Sequence, residues 1–145
     1  MPQSQNLRFI ATSSEDLEFE HPPGASLMRG LIARLEAAGW RPGDMENWRD
    51  AGWFAECNRG EACLEVTLAS IEEPSLWMLQ ISPTHRPGLI GRLFGGKPSA
   101  APADIYELAL AVHHALSTLG CLDDPRWRWD GFPDVDNSTA VPRAA

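Results

Sequence analysis

AGWFAECNRGEACLEVTLASIEEPSLWMLQIS, residues 51–82, alternates apolar and polar side chains in three runs separated by two turn-forming clusters. Alternation with a period of two is the mark of a β-strand buried on one face. Asn58-Arg59-Gly60-Glu61 and Glu72-Glu73-Pro74-Ser75 supply the reversals, because Asn, Gly and Pro suit tight turns. The stretch therefore predicts a three-stranded antiparallel meander.

Its register follows from matching apolar faces. A three-residue loop at Gly60 would set Trp53 opposite Glu65, whereas a four-residue loop sets Trp53 opposite Val66, Ala55 opposite Leu64 and Cys57 opposite Ala62. A slip of one residue would turn every side chain to the other face, so the matched version is expected. At the second turn, Val66 falls opposite Ile81 and Leu68 opposite Leu79. Trp53, Leu64, Val66, Leu68, Trp77, Leu79 and Ile81 then make one apolar face that requires helices upon it.

Two stretches supply them. Leu27, Met28, Leu31, Ile32 and Leu35 form one helical stripe within residues 25–38, closed by Gly39. Ile105, Leu108, Val112, Leu116 and Leu119 form a second within 103–119, with Pro102 just before it and Gly120 just after. Residues 6–11 and 17–20 read as a short hairpin with Thr12–Asp16 as its reversal, and Trp40–Asp50 reads as a loop. Residues 121–133 add an edge strand or cover an open end of the core. The expected architecture is a single α+β domain over residues 1–133, with about five strands in the order ββαβββα and both helices on one face. Residues 134–145 are too poor in apolar groups to pack and read as a disordered tail.

The chain of 145 residues carries 20 acidic and 12 basic side chains, a formal net charge of −8. That balance argues against nucleic acid or an anionic membrane as partner. No apolar run approaches the roughly 20 residues that span a bilayer. The acidic N-terminal stretch with Glu15, Asp16, Glu18 and Glu20 lacks the apolar core of a secretory signal. Cys57, Cys63 and Cys121 have no metal or redox spacing, and the meander places Cys57 and Cys63 on opposite faces. Reduced thiols in a bacterial-type cytoplasm are the expectation.

One segment breaks the charge pattern. Residues 74–103 contain no acid, so this patch is +3 while the remainder sums to −11. Within it, His85, Arg86, Arg92 and Lys97 surround Leu89, Ile90, Leu93 and Phe94, which recur at helical spacing between glycines. Gly91 to Lys97 matches the first part of a phosphate-binding loop, but Pro98 stands where the metal-holding hydroxyl belongs, and no parallel sheet precedes it. Adjacent His113 and His114 point about 100° apart on a helix and cannot share a metal ion; His113 is expected on the solvent face and His114 at its edge. No nucleophile elbow is present. These patterns call for no cofactor and no catalytic residue.

The reading that remains is a non-catalytic protein-binding domain, an adaptor or an inhibitor of the immunity-protein kind. Its expected contact residues are His85, Arg86, Leu89, Ile90, Arg92, Leu93, Phe94 and Lys97 in the basic loop, with Arg126, Trp127, Arg128 and Trp129 as a second patch. Both tryptophans of that patch are expected to be partly exposed. The alternative is a ligand-binding or enzymatic domain with a pocket near Trp53, Trp77 and His114, and a homodimer through a sheet edge is a further possibility.

Overall fold

Residues 3–11, 22–71, 75–84 and 100–145 are described by the computed structural model. They form β1 (Gln5–Ile10), α1 (Ala25–Ala37), β2 (Arg41–Pro42), β3 (Glu46–Trp48), β4 (Gly52–Arg59), β5 (Ala62–Ser70), β6 (Leu76–Pro83), α2 (Pro102–Thr118) and β7 (Asp123–Trp129). The seven strands make one sheet in the order β2-β4-β5-β6-β1-β7, with β3 also paired to β4. Every pairing is antiparallel. The chain is a single α+β domain.

Two features differ from the expected five strands. Within the predicted loop Trp40–Asp50, β2 and β3 run along the free edge of β4, pairing with Cys57–Asn58 and with Gly52–Phe54. Residues 121–133 do contribute a strand, β7, which pairs with β1 from Gln5↔Trp129 to Ile10↔Asp123. The expected strand at 17–20 lies outside the described residues.

The meander holds with one adjustment. Val66 opposes Ile81 and Leu68 opposes Leu79, as the facing argument requires. The first hairpin is tighter than expected: Trp53 opposes Leu68, Ala55 Val66 and Cys57 Leu64. Asn58 and Arg59 thus join the ladder, leaving Gly60-Glu61 as a two-residue loop, and Gly60 has φ +59. Glycine at the first loop position suits a type II′ turn, whose twist matches that of paired strands. The shift is two residues, so each side chain keeps its face while the ladder gains two pairs.

The inward face and both helical stripes meet in one core. Leu7, Phe9, Leu64, Val66, Leu68, Trp77, Leu79, Ile81 and Trp127 are buried against Met28, Leu31 and Leu35 of α1 and Ile105, Leu108, Val112 and Leu116 of α2. Trp53 is half-buried at its margin, with its indole N–H donating to Pro22 O at 2.9 Å. Trp77 is fully enclosed and donates to Ala11 O at 3.1 Å. At the start of α2 the Asp104 carboxylate accepts the Ala101 N–H at 2.9 Å, closing a free donor of the first turn.

β1 is a central strand, wedged between β6 and β7. Being antiparallel to both, it leaves β6 and β7 parallel to each other, joined through α2 across the inner face. This is a split β-α-β unit. The predicted tail lies along β7: Trp127 and Thr139 exchange N–H···O bonds of 2.7 and 2.9 Å, and Pro142 is buried. Arg143 O accepts from Trp129 Nε1 at 2.8 Å and from Gln5 Nε2 at 3.2 Å. Backbone pairing and two inward-facing side chains anchor this stretch, so its low apolar content does not keep it off the domain.

Candidate functional surface

Alternation along the strands leaves Arg8, Phe54, Glu56, Glu65, Thr67, Ala69, Met78, Gln80, Arg126 and Arg128 on the sheet face opposite the helices. The register fixes their neighbours. Arg8 has Met78 on one side and Arg126 on the other. One step along, Asn6 stands between Gln80 and Arg128. Toward the far side, Phe54 pairs with Thr67, and Glu56 with Glu65. Charge on this outer face is thus divided: three arginines at β1–β7, carboxylates on β4 and β5, and Met78, Ala69, Thr67 and Gln80 between them.

The arginine side is only partly neutralised. Arg126 Nη2 lies 3.3 Å from Asp124 Oδ1, while its Nε is enclosed without a hydrogen-bond partner. Arg128 donates from Nη1 to Phe132 O at 3.2 Å, and its guanidinium lies so close to Gly131 that an added Cβ there would be 3.0 Å from Cζ. Burial raises the Asp134 carboxyl, but hydrogen bonds from Asn137 and Asp136, together with the charge of Arg128, hold it below its ordinary range. Asn6, only 2 % exposed, donates to Gly131 O at 2.9 Å.

The four residues of β7 named from sequence separate by face. Arg126 and Arg128 belong to the outer surface, as expected from their alternation with the tryptophans. Trp127 does not: it is 1 % exposed, points into the core, and donates from Nε1 to His113 Nδ1 at 3.0 Å. Trp129, half-buried, shares that inner face and meets the C-terminal stretch. The expectation that both tryptophans are partly exposed fails for Trp127, because β1 lies inside the sheet and brings β7 over the core.

The histidine assignment also reverses. His113 is the one turned toward the sheet, and burial, followed by the neighbouring His114 charge, holds its pKa below the ordinary value. His114 is exposed. The three residues named for a pocket consequently offer no converging polar groups, since both indoles bind backbone carbonyls and His114 faces out. Burial, offset in part by the Arg59 charge, pushes the Cys57 thiol up to about 12, which makes it a small core hydrophobe and not a nucleophile. Among the described residues no group of three or more His, Cys, Asp or Glu could hold a metal ion, and no helix is long and apolar enough to cross a membrane.

His85, Arg86, Leu89, Ile90, Arg92, Leu93, Phe94 and Lys97 lie outside the described residues. Sequence reasoning missed Arg8 as a member of the surface. The signal was its place in the alternation Leu7-Arg8-Phe9, but its nearness to Arg126 depends on a pairing across more than a hundred residues. No family model, curated protein or solved structure matches the chain.

Proposed function

We propose that this chain is a non-catalytic protein-binding domain, acting as an adaptor or inhibitor through the outer face of its sheet. The observation that carries this reading is the asymmetry of the sheet. Both helices and the whole core cluster occupy one face. The other presents arginines, half-buried Met78 and Phe54, and carboxylates in one continuous array. A mixed apolar and charged surface built on rigid strands suits specific association with a protein, where arginine and apolar anchors carry most of the energy. The basic segment around His85–Lys97 belongs to the proposal on sequence grounds.

The reading is tested by recovering partners from a lysate with the wild-type chain, a Met78→Glu variant and a Leu110→Glu variant. Met78 is on the outer face, whereas Leu110 is 42 % exposed on α2 and serves as the control. A partner retained by wild type and Leu110→Glu but lost by a folded Met78→Glu is the expected result. Identical partners from all three proteins would overturn the assignment of the outer face.

A further inference from the structure

We propose that Arg8, Arg126 and Arg128 dock an acidic segment of the partner protein, an extended stretch in which carboxylates alternate with apolar side chains. The proposal rests on the protein-binding reading and names the chemistry of its partner.

Arg8 and Arg126 are direct cross-strand partners, and Arg128 is two residues further along β7 on the same face. Like charges directly opposite one another destabilise a strand pair. In a chain with 20 acids and 12 bases, setting arginine against arginine leaves that repulsion for something else to relieve. Among the described residues it is relieved incompletely. Asp124 meets one end of Arg126 and is itself about half exposed, while Arg8 makes no hydrogen bond or ion pair among the described residues. Arg128 is held over the Gly131 turn by its bond to Phe132 O.

The spacing suits a particular ligand. Residues two apart on one strand are about 6.8 Å apart, and neighbouring strands about 4.8 Å. Carboxylates at alternate positions of an extended segment have the same separation as Arg126 and Arg128, and guanidinium forks bind carboxylates bidentately. Beside the arginines lies an apolar shoulder: Met78 next to Arg8, and Ile10, 37 % exposed, one step along β1. Asp124 and Asp134 cap the positive charge of the site, so one or two carboxylates fit it better than a polyphosphate chain. The overall charge of −8 does not prevent this, because at physiological salt charges beyond about 8 Å are largely screened.

The test measures fluorescence anisotropy of a fluorescein-labelled peptide of alternating Glu and Leu against the full chain, with the Gln-for-Glu peptide as control. Saturable binding is expected, weakened about tenfold or more in Arg8→Ala and in Arg126→Ala and lost at high salt. Arg34→Ala, at an exposed position on α1, leaves it unchanged. Equal binding of the Gln peptide, or unchanged affinity in folded Arg8→Ala, would overturn the proposal. Competition by inorganic phosphate as effective as unlabelled peptide would also overturn it, replacing an acidic protein segment with a general anion site. If the peptide fails while partner recovery remains sensitive to Met78→Glu, the acidic-segment inference falls and the protein-binding reading stands.

Discussion

The indole N–H of Trp127 on β7 donates to Nδ1 of His113 on α2 across 3.0 Å, joining the last strand to the second helix inside the core. An Nδ1 that accepts cannot carry a proton, so the bond requires the neutral ring with its proton on Nε2. Protonation would set one N–H against another.

The pH dependence follows from this geometry. His113 is held below its ordinary value of 6.5, first by burial and then by the His114 charge. The unfolded chain therefore binds a proton that the folded chain refuses. Stability from this site is whole above the ordinary value and falls as pH drops through it, until the lower folded value is passed. The urea midpoint of wild type should decline more steeply between neutral and mildly acid pH than that of His113→Leu. Parallel profiles for the two proteins would sink the assignment.

Removing the indole should be costly. Trp127→Ala empties a fully enclosed volume and is expected to lose about 3–5 kcal/mol of unfolding free energy. Trp127→Phe keeps most of the volume but leaves the ring nitrogen unpaired, a loss of about 1–3 kcal/mol. Chemical denaturation at neutral pH measures both.

Gly52 marks a closer approach of backbones than its neighbours allow to any other residue. A Cβ there would lie 2.1 Å from Leu68 O and 2.9 Å from Ala69 Cα, both main-chain atoms of the paired strand. Gly52→Ala is expected to abolish β4–β5 pairing at that end and to leave little folded protein. Gly39→Ala is the control: its φ is +97, but no atom lies within 4 Å of the added group, so the cost should stay near the ~1–2 kcal/mol of a left-handed non-glycine residue. Comparable melting temperatures for the two variants would contradict the packing at Gly52.

The Cys57 thiol, pushed up to about 12 by burial against a smaller opposing effect of Arg59, should resist alkylation in the native protein. Peptide mapping after iodoacetamide treatment at mildly alkaline pH should find Cys57 unmodified until denaturant is added. Prompt modification under native conditions would show that the β4–β5 core opens more readily than its burial implies.

Residues 139–145 are expected to matter for stability despite their composition. Deleting them removes the Thr139 pairing with Trp127 and the carbonyl shared by Gln5 and Trp129. A loss of about 1–3 kcal/mol, read from the denaturation midpoint, is the expected outcome. No change would show that the stretch is held too weakly to cover the β7 edge.

Local pattern carried much of this fold. The alternation in residues 51–82 assigned each side chain of the meander to its face, and the apolar stripes of 25–38 and 103–119 located both helices. Those assignments survive a two-residue error in hairpin length because a strand repeats every two residues. They are properties of a few consecutive side chains, set by where each Cβ points. The place of β1 had no such signal. Leu7 and Phe9 would face the core equally well from an edge or from the middle of the sheet, and the insertion of β1 between β6 and β7 follows from the crossover through α2. That one long-range choice buried Trp127, turned His113 inward, gave the C-terminal stretch an edge to lie on, and set Arg8 against Arg126. Facing is decided by neighbours in the chain; company is decided by which strands share a ladder. The arginine cluster could form no earlier than the sheet itself.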